Sequence, residues 1–194
     1  MTPVTGVILA GGEGRRMGGA DKGLQLFAGR PLVFWVLERL QPQVSRVMIS
    51  ANRNLERYRE FGCPVLEDLT PGFAGPLAGL QVALANATTP LVLAVPCDSP
   101  RLPADLAARL HEALESTGAD LAVPHAGGRA HRAFCLAGRH LLPRLDAFLG
   151  GGDRKLGLWY QSLDTIEVDF DDQPEAFGNI NSPAELDRLG QAAP

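Results

Sequence analysis

The chain has 194 residues, of which 45% are hydrophobic and 21% charged, as in ordinary globular proteins, so disordered and fibrous classes are excluded. Its 18 lysines and arginines against 22 aspartates and glutamates give a net charge of −4, which argues against nucleic-acid and anionic-membrane partners. No apolar run approaches the roughly 20 residues of a membrane span and no signal-peptide pattern opens the chain, so we expect a cytoplasmic protein.

Strand-like and helix-like segments alternate along the chain, which is typical of βα units on a parallel sheet. We predict strands over residues 4–9, 46–50, 63–67, 91–95, 120–124, 133–136 and 165–168. We predict helices over residues 31–40, 55–61, 77–85, 103–116, 139–149 and 155–161. No linker long enough to divide domains interrupts the pattern, so we expect a single α/β domain over residues 1–194.

The first predicted strand runs into a loop that suits phosphate. Residues 10–23 contain six glycines together with Arg15, Arg16 and Lys22. Glycines let backbone N–H groups crowd around an anion, and the cationic side chains supply the counter-charge. Because the loop follows the first strand, we expect it at the carboxyl edge of the sheet, where open α/β folds bind their ligands.

Neither of the two common phosphate-loop motifs fits this loop. Gly14 and Gly19 have the spacing of the Walker pattern, but Ala20 follows where that pattern needs a lysine. Gly12 and Gly14 fit the dinucleotide fingerprint, whose last glycine is here replaced by Met17. The loop is therefore either a phosphate loop of another kind or a glycine-rich surface loop with solvated arginines.

Residues 9–22 carry a family resemblance. They read Leu-Ala-Gly-Gly, three residues, Arg-Met-Gly, two residues and Asp-Lys, which resembles the signature of the nucleotidyltransferases that handle sugar phosphates and molybdopterin. Leu-Ala-Gly-Gly with Asp-Lys resembles the molybdenum cofactor guanylyltransferases in particular. The resemblance implies a Rossmann-like three-layer α/β sandwich with a mostly parallel sheet, of the nucleotide-diphospho-sugar transferase type.

The resemblance also implies ligands and site residues. It implies Mg²⁺ as the cofactor and GTP and molybdopterin as substrates, with acceptor molybdoenzymes or their chaperones as candidate partners. The resemblance assigns catalytic roles to Lys22, Arg16 and Asp98. It assigns nucleotide binding to Leu9, Ala10, Gly11, Gly12, Lys22, Asp68 and Asp98.

Asp98 follows a wholly apolar predicted strand, in the run Pro-Cys-Asp-Ser-Pro. This position places its carboxylate at the carboxyl edge of the sheet, and Mg²⁺ typically takes one or two carboxylates plus substrate phosphates. The alternative is that Asp98 caps the turn between the two prolines. Because the run resembles the metal-binding motif of the family, we expect Asp98 to hold the metal.

Asp68 ends the third predicted strand, where the family places an aspartate that contacts the nucleotide. Guanine presents an N1–H and an exocyclic amine, both donors, which suit an acceptor-only carboxylate. A ribose contact and a solvated loop carboxylate are the alternatives. Residues 50–53 read Ser-Ala-Asn-Arg where guanylyltransferases often read Asn-Ala-Asn-Arg, and Ser50 cannot make a bidentate amide contact. Because of this departure, the sequence does not decide which base the bound nucleotide carries.

Two later stretches are candidates for binding the second substrate. Residues 75–79 read Gly-Pro-Leu-Ala-Gly and resemble the family's turn into a helix, whose N-terminus suits a phosphate or a flat pterin. Residues 179–181 read Asn-Ile-Asn, and their alternation places both amides on one face of an extended segment. We expect Gly79, Asn179 and Asn181 to contact molybdopterin, with loop bracing as the alternative for the two asparagines.

The three cysteines include no Cys-x-x-Cys pair, so neither a disulfide framework nor a thiolate zinc site is indicated. We expect three reduced thiols, mostly buried. The four histidines show no helical ligand pairing, and we expect His111 at the surface of its helix.

Together with these residues, the resemblance implies a Mg²⁺-dependent transfer of GMP from GTP to molybdopterin. A cytidylyl- or sugar-phosphate nucleotidyltransferase is one alternative, which competition between nucleotides separates. A non-catalytic carrier of molybdopterin or nucleotide is the other, and it predicts ligand binding without pyrophosphate release.

Overall fold

The alternating segments assemble into one large sheet and a short hairpin. The computed structural model describes residues 2–12, 21–69, 75–180 and 185. Its strands are β1 (Val4–Leu9), β2 (Leu26–Phe27), β3 (Arg30–Pro31), β4 (Arg46–Ser50), β5 (Val65–Leu66), β6 (Leu91–Pro96), β7 (Leu121–Ala126), β8 (Arg129–Ala130), β9 (Cys135–Gly138) and β10 (Thr165–Asp169). Its helices are α1 (Leu32–Leu40), α2 (Leu55–Arg59), α3 (Pro76–Asn86), α4 (Leu106–Thr117), α5 (Leu142–Gly150) and α6 (Leu156–Gln161).

The strand order is β5-β4-β1-β6-β9-β7-β10, with β8 paired to β7. The β5–β4, β4–β1, β1–β6 and β7–β10 pairs are parallel, whereas β9 is antiparallel to both β6 and β7. Only the short β8 lies between β7 and β9 in the chain, and without a crossover helix the chain returns antiparallel. The prediction of a mostly parallel sheet is confirmed.

Helices cover both faces of the sheet, because its central strands are apolar on both sides. In β6, Leu93 and Val95 join the core cluster that includes the apolar side chains of α1 and α4. Val92 and Ala94 join the opposite cluster, which includes those of α3, α5 and α6. This arrangement is the predicted three-layer sandwich.

Gly6 interrupts the apolar run of β1 for a packing reason. A Cβ atom at this position would lie 2.9 Å from Leu40 Cδ2 of α1 and 3.2 Å from Val44 Cγ2. Both distances are shorter than van der Waals contact. Glycine therefore lets α1 approach the sheet closely.

The observed elements differ from the predicted ones in a few places. The β2–β3 hairpin has no predicted counterpart, because its turn uses Ala28 and Gly29 with φ of 47° and 78°, and alanine seldom signals such a turn. The strand predicted over 63–67 shortens to β5. The helix predicted over 139–149 divides into a 3₁₀ turn (Arg139–Leu141) and α5, where a proline occupies the first turn.

The prediction that His111 lies at the surface is wrong. The residue is only 4% exposed, and its Nε2 accepts a hydrogen bond from the backbone N–H of Thr2 at 3.2 Å. The segment before β1 contacts this residue of α4, a contact across more than a hundred residues that the helix sequence does not reveal.

The predicted state of the thiols is confirmed, since all three cysteines are free and Cys97 and Cys135 are buried. Among the described residues, no helix combines the length and the apolar character that crossing a bilayer requires.

Candidate active site

The strand register brings four segments of the chain to one edge of the sheet. Leu9 at the end of β1 pairs with Ser50 of β4 and Pro96 of β6, and Ser50 pairs with Leu66 of β5. The residues two positions beyond these strand ends are Gly11, Asn52, Asp98 and Asp68. Parallel strands end at the same edge, so these residues lie on neighbouring segments.

A cavity of about 200 Å³ opens at this edge. Eight residues singled out in the sequence line it: Leu9, Ala10, Gly11, Gly12, Lys22, Asp68, Gly79 and Asp98. Further lining comes from Ser50, Gly75, Pro76, Pro96, Cys97 and Ala133. Arg16 and Asn181 lie outside the described residues, and Asn179 is not among the residues that line this cavity.

Lys22 and Asp98 form an ion pair inside the cavity. The ammonium of Lys22 donates a hydrogen bond to Asp98 Oδ2, and the two side chains are 22% and 11% exposed. Lys22 lies in a 3₁₀ turn (Lys22–Leu24), and Asp98 follows β6. Because little water screens the pair, its electrostatic attraction is stronger than at an open surface.

The second carboxylate oxygen of Asp98 suits a cation. Asp98 Oδ1 is buried, and no donor from the described part of the chain reaches it. Burying such an oxygen without a partner is unfavourable, and a divalent cation would satisfy it. No group of three or more histidine, cysteine or acidic side chains within the described ranges is arranged to hold a metal. A single carboxylate beside substrate phosphates is nevertheless a donor set that fits Mg²⁺.

Asp68 is held by two polar side chains from the end of β4. Asn52 Nδ2 donates to Asp68 Oδ2 at 2.7 Å, and the backbone N–H of Asp68 donates to Asn52 Oδ1 at 2.9 Å. The Ser50 hydroxyl also hydrogen-bonds the Asp68 carboxylate. Burial raises the pKa of the Asp68 carboxyl above its usual value, while these two side-chain hydrogen bonds act in the opposite direction.

Comparisons with known proteins assign this arrangement to a family. The family described as MobA-like NTP transferase domain matches residues 6–166. The chain belongs to this family. It is 49% identical over 197 residues to the molybdenum cofactor guanylyltransferase of Ralstonia nicotianae, covering 97% of this chain and 96% of the relative. It is also 49% identical over 180 residues to that of Pasteurella multocida, covering 93% and 95%.

Solved structures share the fold of this MobA-like transferase. Molybdopterin-guanine dinucleotide biosynthesis protein A from Archaeoglobus fulgidus superimposes with a TM-score of 0.80 at 22% identity, covering 97% of both chains. The 2-C-methyl-D-erythritol 4-phosphate cytidylyltransferase of Thermus thermophilus does so with a TM-score of 0.70 at 20% identity, covering 96% of both chains. The fold therefore occurs in nucleotidyltransferases named for different substrates.

Gly79 lies in the same cavity as the residues predicted to bind the nucleotide. Its α3 position packs against β1 and β4, so that a Cβ atom would lie 2.7 Å from Leu9 Cδ2 and 2.8 Å from Ser50 Oγ. Ser50 in turn contacts Asp68. A side chain at residue 79 would therefore displace groups that shape the cavity.

We expect Gly79→Ala to weaken nucleotide binding about tenfold and to cost about 1–3 kcal/mol of stability, as overpacking commonly does. Gly157→Ala is the matched control, since a Cβ on this glycine of α6 meets no atom within 4 Å. That change is expected to stabilise the protein by about 0.5–1 kcal/mol and to leave binding unchanged. Titration calorimetry and thermal unfolding measure both effects, and equal affinities for the two variants would contradict the expectation.

Asn179 has a bracing contact beside the site. Its Oδ1 accepts a hydrogen bond from Ser99 Oγ at 2.8 Å, and Ser99 directly follows Asp98. The backbone N–H of Ile180 donates to the carbonyl oxygen of Asp98 at 3.0 Å. These contacts favour loop bracing for Asn179, the alternative that the sequence left open.

Two polar residues of this site had no assigned role in the sequence. Asn52 binds Asp68, and Asp21 lies beside Lys22 with its side chain only 6% exposed. The shared signal for Asn52 and Asp68 is that each lies two residues beyond a strand end. Asp21 has no such signal, because its partners Asn54 and Tyr58 lie more than thirty residues away in the chain.

Proposed function

We propose that this protein transfers GMP from GTP to molybdopterin, forming a guanine dinucleotide cofactor and releasing pyrophosphate. The observation that carries the proposal is one cavity with a Lys22–Asp98 ion pair at one end and the hydrogen-bonded Asp68 at the other. Strands β5 and β6 are separated by β4 and β1, so the two ends lie about 14 Å apart at ~4.8 Å per strand. This span suits a nucleoside triphosphate. The choice of guanine as the base and of molybdopterin as the acceptor rests on the name of the relatives, molybdenum cofactor guanylyltransferase.

The proposed reaction needs no general base. A phosphate oxygen of molybdopterin attacks the α-phosphorus of GTP, and a P–O bond forms as the bond to the pyrophosphate oxygen breaks. The departing oxygen keeps the electron pair, and the attacking oxygen is already an anion. Because two anions must approach, catalysis rests on positioning and on neutralising charge. We propose that the Lys22 ammonium offsets charge on the phosphates, and Arg16 keeps the same predicted role.

We further propose that Asp98 holds Mg²⁺ together with phosphate oxygens of the nucleotide. A bound Mg²⁺ supplies positive charge to the phosphate chain. Asp98 Oδ1 supports this assignment, because it is buried and no described residue donates to it, while Lys22 occupies Oδ2.

Asp68 is proposed to accept hydrogen bonds from guanine, which gives GTP binding a pH dependence. Because burial raises the pKa of the Asp68 carboxyl, the carboxylate is lost at a higher pH than in a free aspartate as the pH falls through that pKa. We expect the Kd of GTP to increase as the pH is lowered. Asp68→Asn should weaken GTP binding about tenfold, since it removes a charged acceptor, and should flatten this dependence. Calorimetry across the pH range compares the two proteins, and an unchanged dependence in Asp68→Asn would contradict the role.

The test of the proposed function is pyrophosphate release from each of the four NTPs with Mg²⁺, with and without molybdopterin. We expect release with GTP only when molybdopterin is present. Release with CTP instead would retain the reaction class and overturn the base. Binding of GTP without release under any condition would favour the carrier. A cytoplasmic location and transfer to acceptor molybdoenzymes or their chaperones stay predictions.

A further inference from the structure

Asp21 is a buried carboxylate beside the cavity that the proposed reaction does not use. Its side chain is 6% exposed, and it is not among the cavity-lining residues. It directly precedes Lys22 at the N-cap position of the 3₁₀ turn, and its side chain makes no hydrogen bond to that turn. A buried charge is costly unless it is paired and hydrogen-bonded, so the partners of Asp21 indicate what it does.

Both carboxylate oxygens of Asp21 accept hydrogen bonds, one from α2 and one from the residue that precedes this helix. The Tyr58 hydroxyl donates to Oδ1 at 2.5 Å, and Asn54 Nδ2 donates to Oδ2 at 2.9 Å. Burial raises the pKa of the Tyr58 phenol, so the hydroxyl keeps its proton and remains a donor. These charge-assisted bonds fix the backbone immediately before Lys22.

The backbone immediately after Lys22 is fixed by packing. A Cβ atom at Gly23 would lie 2.5 Å from the Tyr58 hydroxyl and 3.4 Å from Cys97 Sγ. Glycine is therefore needed at this position for the Tyr58 hydroxyl to reach Asp21. Cys97 precedes Asp98, so the turn of Lys22 packs closely against the segment that carries Asp98.

Arg53 links the two flanks of the phosphate loop. Its Nη2 donates to the carbonyl oxygen of Gly12 at 3.1 Å, and its Nε lies 3.9 Å from Asp21 Oδ2. Gly12 and Asp21 stand on either side of residues 13–20 in the chain. The segment 52–58 therefore contacts both the entry and the exit of this loop.

We propose that Asp21 is a positioning residue, which Tyr58 and Asn54 hold so that the Lys22 ammonium meets the nucleotide phosphates. The proposal rests on the proposed role of Lys22 in nucleotide binding. Asp21 is not among the residues that line the cavity. Its effect passes through Lys22, and this dependence distinguishes it from a residue that only stabilises the fold.

The first test removes single hydrogen bonds to Asp21. Tyr58→Phe deletes only the hydroxyl, and we expect nucleotide Kd and the single-turnover rate each to worsen by about tenfold, as misplaced catalytic groups commonly cause. Tyr160→Phe is the matched control, because its buried hydroxyl donates to the carbonyl oxygen of Arg132 away from Asp21. An effect of Tyr58→Phe within twofold of the control would overturn the proposal.

Asn54→Gly provides a second variant should Tyr58→Phe fail to fold. Asn54 is exposed and has φ of 53°, a conformation that glycine adopts without strain, so the change removes only the side-chain donor. We expect a weaker effect than that of Tyr58→Phe but in the same direction. A cooperative thermal transition in each variant shows that the fold persists.

The decisive measurement combines each change with Lys22→Ala. If Asp21 acts through Lys22, Tyr58→Phe alters the Kd and the single-turnover rate by less than twofold once Lys22 is absent. Multiplicative effects in the double variant would overturn the proposal, because they show that Tyr58 acts independently of Lys22. Calorimetry uses whichever NTP the wild-type protein binds most tightly, at up to millimolar concentration. If the protein binds another NTP more tightly than GTP, the proposed function is overturned. The comparison of the single and double variants still decides the role of Asp21.

Discussion

Replacing Lys22 with alanine is expected to lower the rate of nucleotidyl transfer by about 10²–10³-fold, the range seen when a group that stabilises transition-state charge is removed. The ammonium lies in the cavity against Asp98, and no other cationic side chain is found among the described residues that line it. The fold should persist, because the side chain is 22% exposed and water can hydrate the remaining carboxylate. Single-turnover pyrophosphate release measures the rate, and thermal unfolding measures the stability.

Arg57→Ala is the control for the loss of a positive charge near this site. Arg57 lies on α2, is 63% exposed and pairs with Glu60 on the same helix. A surface pair of this kind contributes little, so we expect wild-type rates. Near-wild-type turnover of Lys22→Ala would remove the central role given to this lysine.

Replacing Asp98 with asparagine should reduce turnover by a similar factor, about 10²–10³-fold. Asparagine keeps the shape of the side chain but removes the charge that pairs with Lys22 and that is proposed to hold Mg²⁺. The asparagine amide also has an NH₂ donor in place of one carboxylate oxygen. The side chain therefore keeps a single, uncharged oxygen that could bind a cation. We therefore expect the Mg²⁺ concentration needed for half-maximal nucleotide binding to increase as well.

Asp146→Asn is the matched control for this change. Asp146 is exposed, and its Oδ1 accepts a hydrogen bond from Gln81 at 2.7 Å, away from the cavity lining. Its turnover and its Mg²⁺ dependence should match those of the wild type. If Asp98→Asn loses activity but keeps the wild-type Mg²⁺ dependence, the carboxylate pairs with Lys22 without holding the metal.

The sequence predicted those structural elements whose residue pattern extends over a few neighbouring positions. The apolar runs of β1 and β4 were predicted with their observed bounds, because buried parallel strands are short and apolar on both faces. The β2–β3 hairpin was not predicted, since Ala28 adopts a left-handed conformation that its sequence does not announce. The side chain of His111 was predicted at the surface, although it is buried and accepts a hydrogen bond from the backbone N–H of Thr2.

The residues of the predicted site were likewise identified where the signal lies in neighbouring positions of the chain. Gly11, Gly12, Lys22, Asp68 and Asp98 were each identified from residues adjacent in the chain, either by strand-end position or by motif. For the residues that directly follow β1, β5 and β6, their meeting in one cavity follows from the parallel register, which ends these strands at one edge. A sequence that predicts parallel strands therefore also predicts this edge as the site.

Local sequence thus determined the longer strands and most of the helices, because these depend on side-chain periodicity and backbone freedom over a few residues. The tertiary structure alone decided which polar groups pair. Lys22 meets Asp98 across 76 residues of sequence, and Tyr58 reaches Asp21 across 37. Such pairings depend on the order of the strands and on how helices pack against the sheet, and neither is encoded in the residues adjacent to the pair.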